Sequence, residues 1–139
     1  MKVCILGDTH FGMRNDSISF LDYSENFYNK TFFPYLIENN IGTIIQLGDF
    51  FDRRKYINFY TLSRTKEMFL DKLVEYNIDM FVLAGNHDTY FKNTNDINSI
   101  DLLFREYDNI TVIDSPQTIH LNYADTNDDI LMMPWICAE

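Results

Sequence analysis

Three short apolar runs, at residues 3–6, 43–47 and 80–83, each break into a small cluster of Gly, Asp, Asn and His. Short apolar runs bounded by turn residues read as buried strands. The stretches between them carry helical periodicity, which gives a β-α-β-α-β order. That order implies a mostly parallel sheet with right-handed crossovers. Parallel strands end on the same edge, so whatever follows the three runs is gathered in one place. In open α/β sheets this edge is where ligands bind.

The first helical stretch covers residues 17–40, with Phe20, Tyr23, Phe27, Tyr28, Phe32, Phe33 and Leu36 at mostly helical spacing. Pro34 predicts a kink or short break, and Gly42 is the expected C-terminal cap. A second helix is expected over residues 59–76, with Leu62, Phe69, Leu73 and Tyr76 on one face. Arg64, Lys66, Glu67, Asp71 and Lys72 lie mostly elsewhere. Tyr60 and Met68 read as possible core. A third helix over 98–107 buries Ile100, Leu103 and Phe104, and leads to a fourth strand over 110–113. Strands over 117–123 and 129–133, joined by a polar turn at 124–128, read as a hairpin opening a second sheet.

With 139 residues, 46% of them hydrophobic and 16% aromatic, the chain supports one domain with a real core. No stretch approaches the roughly 20 apolar residues of a membrane span, and the N-terminus lacks a signal-peptide pattern. A cytoplasmic location is expected, with Cys4 and Cys137 as free thiols. The net charge of -10 argues against a simple nucleic-acid-binding module. It does not exclude an enzyme whose bound cations reverse the local charge.

The three clusters are Asp8-Thr9-His10, Gly48-Asp49-Phe50-Phe51-Asp52 and Gly85-Asn86-His87-Asp88. Asp8, His10, Asp49 and Asn86 together offer the oxygen and nitrogen donors of a hard-to-borderline divalent metal site. Asp49 has two oxygens and can bridge two metals. Such a pair, roughly 3.5–4 Å apart, activates a water for in-line displacement at phosphorus. His87 is placed to serve as general acid or charge stabiliser at the leaving oxygen. Asp88 is expected to hydrogen-bond His87 and fix its tautomer. Asp52 reads equally as a helix cap or as a support for the site from outside. Gly48 and Gly85 let the backbone turn out of the strands. Taken singly, Asp-x-His is an ordinary loop and Gly-Asp-x-x-Asp an ordinary turn. The ordered set, each member after a strand, is what makes the reading specific.

These motifs resemble those of the calcineurin-like metallophosphoesterase superfamily: D-x-H, then G-D-x-x-D, then G-N-H-D or G-N-H-E. Within it the chain is most similar to the nuclease subunits of double-strand-break repair complexes, the SbcD and meiotic-recombination type, and to their T-even-phage-like branch. The segments that carry this are residues 7–12, residues 48–55 and Met133-Pro134-Trp135. The resemblance implies a layered α/β/β/α sandwich, of which residues 1–139 are expected to be an N-terminal portion: the βαβαβ part and the start of the second sheet. It implies Asp8, His10 and Asp49 at one manganese ion, Asp49 and Asn86 at another, and His87 as the catalytic histidine. The implied reaction is hydrolysis of DNA phosphodiesters, 3′-to-5′ on duplex ends and endonucleolytic on single strands. The implied partners are DNA, a coiled-coil ABC-type ATPase and a second copy of the chain, in a host cytoplasm if viral. Arg53, Arg54 and Lys55 follow the second motif as candidate phosphate contacts.

The family completes its metal sites with further histidines, one after a later strand and a Gly-His-x-His pair. This sequence has three histidines, and the third, His120, reads as a strand residue. The second metal site is therefore incomplete within residues 1–139. Two other readings stay open: a phosphatase or nucleotide phosphodiesterase on the same fold, and a catalytically incomplete module that dimerises or binds DNA ends.

Overall fold

A computed structural model describes residues 2–89, 99–123 and 126–136. Strands β1 (Cys4–Leu6), β2 (Thr43–Gln46), β3 (Asp79–Leu83) and β4 (Ile110–Ile113) form one parallel sheet in the order β1-β2-β3-β4. Leu6 pairs with Gln46, and Gln46 with Val82, so the three motif-bearing ends are level. The strand order never reverses. The crevice at the carboxyl edge is therefore not a topological switch point, and crossovers of one hand place the helices on one face.

Side-chain alternation divides the core accordingly. Ile44, Met80, Val82 and Ile110 join the helix-side cluster, while Ile45, Phe81, Leu83 and Ile113 pack on the opposite side. There they meet the antiparallel hairpin of β5 (Gln117–Tyr123) and β6 (Thr126–Met132), through Ile119, Leu121, Ile130 and Met132. The expected α/β architecture and the start of a second sheet are both present. β6 begins earlier than expected, and residues 124 and 125 of the expected turn, like Asn98 and Cys137, lie outside the described residues. Cys4 is a free thiol. No helix among the described residues is long and apolar enough to cross a membrane.

Helix α1 runs Ile18–Phe27, passes through a π-helical turn at Tyr28–Phe32 and continues as Phe33–Glu38. The wide turn sits just before Pro34, where a ring without an N–H would otherwise clash with the preceding turn. It accommodates the proline without breaking the helix. Helix α2 repeats the device, Phe59–Thr65, Lys66–Leu70 and Asp71–Glu75. Its N-terminus is capped by the Asn58 side chain, which accepts from Tyr60 N at 2.8 Å. Met68, Phe69 and Leu73 are core, but Tyr60 is exposed. Both helices end alike, and not on a glycine. Asn40 and Asn77 adopt φ 54°, and Ile41 N and Ile78 N reach back to Leu36 O and Leu73 O. This is the Schellman closure, so Asn40 takes the role expected of Gly42. Helix α3 is short, Ser99–Phe104, with Ile100 and Phe104 buried.

Candidate metal centre

The loops after β1 and β2 are stitched together as extended chain. His10 N donates to Asp49 O at 3.0 Å, Phe11 N to Phe50 O at 2.9 Å and Asp52 N to Phe11 O at 3.0 Å. Thr9 Oγ1 adds a bond to Phe50 O at 2.9 Å. Beneath the stitch Phe11, Phe50 and Phe51 are fully buried, with ring centroids 5.0 Å apart for Phe11–Phe50 and Phe50–Phe51. The aromatic residues inside the motifs thus anchor the loops to the core, while the polar residues between them turn to the crevice.

Asp8, His10 and Asp49 adopt φ of 37°, 42° and 51°. Non-glycine residues rarely occupy this left-handed region, and where they do they concentrate at functional sites. Each offers one donor atom, and these three atoms lie within 4.8 Å of one another. His10 Nε2 is 3.7 Å from Asp49 Oδ2, and His10 Nδ1 is 3.3 Å from Asp52 Oδ1 but without hydrogen-bond geometry. The Asn86 amide sits 3.0 Å from both oxygens of Asp49. Turned one way, its NH2 donates to both; turned the other, its oxygen lies beside theirs. His87 N donates to Asp49 Oδ1 at 2.9 Å.

The third loop is brought this close by two glycines. Gly48 has φ 100°, and a Cβ there would meet Gly85 Cα at 2.8 Å. Gly85 needs no unusual φ; its requirement is proximity, since its Cβ would fall 2.3 Å from Asp49 N and Oδ1. Gln46, the one long polar side chain in β2, is buried and clasps the turn, bonding Gly48 N and O at 2.8 Å each. Sequence reasoning passed over it. Its signal was a polar residue closing an otherwise apolar strand.

Two sequence expectations change here. Asp88 does not orient His87. Its carboxylate is fully buried and accepts from Phe50 N at 3.1 Å and Gly85 N at 2.8 Å, binding the second loop to the third. Burial pushes its pKa up to about 6, with the nearby Asp49 charge adding and the amide bonds opposing. Replacing Asp88 with alanine strands the buried Phe50 N–H and the half-buried Gly85 N–H, and about 1–3 kcal/mol of stability is expected to be lost in urea denaturation at neutral pH. The tautomer of His87 is fixed instead by Asp52, whose backbone oxygen lies 2.6 Å from Nδ1. A carbonyl only accepts, so Nδ1 carries the proton and Nε2 is left for other chemistry. Asp52 is thus no helix cap, since Asn58 caps α2; it touches both histidines.

Arg53 is the second change. Its guanidinium pairs with Asp16 at 3.1 Å, bonds Asn15 and the Tyr56 hydroxyl, and stacks over the Tyr56 ring. Lys55 is exposed, and Arg54 is half-buried with Nη1 enclosed and, among the described residues, lacking a hydrogen-bond partner. His120 sits in β5, exposed, 2.6 Å from Asp129. The crevice itself, about 440 Å³, has a polar wall of Asp8, Asp49 and Asn86 and an apolar one that includes Leu47, Met133, Pro134 and Trp135. Trp135 N donates to Ala84 O at 2.8 Å, which ties this late segment to the end of β3.

A parallel sheet with carboxylate, imidazole and amide donors converging at its carboxyl edge defines an α/β protein with a candidate divalent-metal centre. Residues 1–135 match the family described as Calcineurin-like phosphoesterase, and the chain belongs to that family. It is 32% identical over 139 residues to Exonuclease subunit 1 of Enterobacteria phage T4, aligning along all of its own length and spanning 39% of that relative. Among solved structures it is similar to the Pseudomonas putida nuclease MPE, with a TM-score of 0.55 and 21% identity, over 84% of this chain and 50% of that one. The second likeness is one of fold.

Proposed function

We propose that the chain is the metal-binding part of a DNA phosphodiesterase that acts in recombination and double-strand-break repair, as a 3′-to-5′ exonuclease on duplex ends and an endonuclease on single strands. The observation that carries this reading is the convergence of Asp8, His10 and Asp49 on one point, with Asn86 against Asp49 and His87 beside them. The family and the phage exonuclease subunit among its relatives support the substrate class.

The residues fit a metal. Asp8 and His10 would hold one ion, Asn86 a second, and the two oxygens of Asp49 would serve both. With His10 Nε2 on the metal, Nδ1 faces the Asp52 carboxylate, the pairing that orients metal-bound histidines. The chemistry such cations would supply, Mn²⁺ being the ion proposed, is activation of a water and neutralisation of charge on the scissile phosphate. His87 presents Nε2 to the leaving oxygen, held by the Asp52 carbonyl on its far side, and acts there as proton donor or charge stabiliser. Asp88 contributes by fixing the loops. Arg54 and Lys55, which follow Asp52 in the sequence, are proposed as contacts to the phosphate backbone.

The test compares Mn²⁺-dependent hydrolysis of end-labelled linear duplex DNA with that of a small phosphomonoester. Preference for DNA supports the nuclease reading, preference for the monoester supports a phosphatase, and hydrolysis of neither supports a non-catalytic module.

The partners proposed are DNA, a coiled-coil ABC-type ATPase and a second copy of the chain, in the cytoplasm of a host cell. For the second copy there is a specific surface. Phe59 at the start of α2 is 88% exposed and Leu102 on α3 is 60% exposed. They flank a cavity of about 270 Å³ whose lining is mostly apolar, with Ile57, Leu62 and Leu103, and which Arg54 and Lys55 border. Apolar patches of this kind mark association sites. Phe59→Asp is expected to convert a dimer to a monomer in sedimentation velocity, with Mn²⁺ binding retained.

A further inference from the structure

We infer that Arg53 is a positioning residue for the metal centre, closing a latch between its first two loops, and that its charge is directed at Asp16 and not at a nucleic-acid phosphate. The inference rests on the metal-site reading above. It begins with an unusual piece of backbone. After Gly12, itself at φ 90°, the turn Met13–Asp16 carries Arg14, Asn15 and Asp16 at φ 56°, 60° and 57°. Three consecutive non-glycine residues in the left-handed region are strained and persist only where the surroundings hold them.

What holds them is visible. Asp16 Oδ1 accepts from Thr61 Oγ1 at 2.7 Å, and Asp16 N donates to Gly12 O at 2.9 Å. Asp16 Oδ2 meets Arg53 Nη1, and Arg53 Nη2 takes the Asn15 side chain. The same Nη1 donates to the Tyr56 hydroxyl at 2.8 Å, with the guanidinium carbon 4.8 Å from that ring's centre. The fork is thus engaged on both arms and stacked on one face. Arginine is suited to such a junction because its planar fork fixes direction as well as charge.

The latch lies at a consequential place in the chain. Arg53 directly follows Asp52, whose carboxylate faces His10 and whose carbonyl holds His87. Asp16 ends the segment that leaves His10. Arg53 therefore clamps the far end of the stitch that sets His10 against Asp49 and Asp52. It touches no donor atom of the centre and acts through the residues that do.

The experiment uses the full chain and four variants, Arg53→Ala, Arg53→Lys, Asp16→Asn and the double variant Arg53→Ala/Asp16→Asn, with two readouts. The first is Mn²⁺ affinity by calorimetry without DNA. The second is the salt dependence of DNA binding in chelator, where no hydrolysis occurs. A latch predicts that Arg53→Ala and Asp16→Asn each weaken Mn²⁺ binding by roughly tenfold, the lower end for supporting partners of metal ligands. Their combination is no worse than either alone, Arg53→Lys restores part of the affinity, and the salt slope is unchanged in all. A phosphate contact predicts the reverse: Mn²⁺ affinity intact, and the salt slope of Arg53→Ala reduced by about 1, which would overturn the inference. Equal Mn²⁺ affinity in wild type and variants also overturns it while sparing the metal-site reading. Absence of Mn²⁺ binding by the wild type removes both.

Discussion

Gly85→Ala is expected to cripple metal-dependent hydrolysis without removing it and to destabilise the fold by about 1–3 kcal/mol, the range for forcing an extra carbon into a packed site. The added Cβ lands 2.3 Å from Asp49 N and 2.3 Å from Asp49 Oδ1. Neither atom yields easily. The nitrogen belongs to a loop stitched to residues 9–11, and the oxygen already receives the His87 N–H. Relief requires the third loop to withdraw from the second, which carries Asn86 and His87 away from Asp49. Activity is expected to fall more than about a hundredfold, beyond the range of supporting partners, while the far-ultraviolet circular dichroism stays native. Gly48→Ala is a milder case in contact, its Cβ meeting Gly85 Cα at 2.8 Å, but it adds a φ of 100°. Full activity in Gly85→Ala would mean that the closeness of the two loops is incidental.

Asp49→Asn is expected to have the larger effect on chemistry and a smaller one on folding. The carboxylate is the hub of the centre: Asn86 lies 3.0 Å from both oxygens, His87 N 2.9 Å from one, and His10 Nε2 3.7 Å from the other. An amide of the same shape keeps the packing but loses the charge and one of two ligand oxygens. Hydrolysis of duplex DNA is expected to drop below detection, with a melting temperature within a few degrees of wild type in chelator. If the variant retained hydrolysis, a bridging role for Asp49 would be untenable.

Much of this was legible in the sequence because period and punctuation agreed. The strands at 79–83 and 110–113 fall where the apolar runs place them, and the donors gather at one edge because parallel strands leave no alternative. What stayed hidden depends on three-dimensional adjacency. Asp88 follows His87, so a bond between neighbours was the natural expectation; the carboxylate in fact reaches Phe50 N, 38 positions away in sequence. Arg53 sits among other cations, and nothing local shows that Asp16 lies opposite. The Schellman ends use Asn40 and Asn77 because asparagine tolerates the left-handed turn, whereas Gly42 drew attention by being a glycine. The paired π-helical turns have no periodic signature, for one extra residue in a turn looks like noise in a helical pattern.

The most direct test of the central claim is a Mn²⁺ titration of the wild-type chain and Asp49→Asn, followed by calorimetry and by the paramagnetic resonance of free Mn²⁺. Saturable binding by the wild type that is lost in the variant is the predicted result. Equal binding by the two, or none by the wild type, would show that the convergence of Asp8, His10 and Asp49 is not a metal centre.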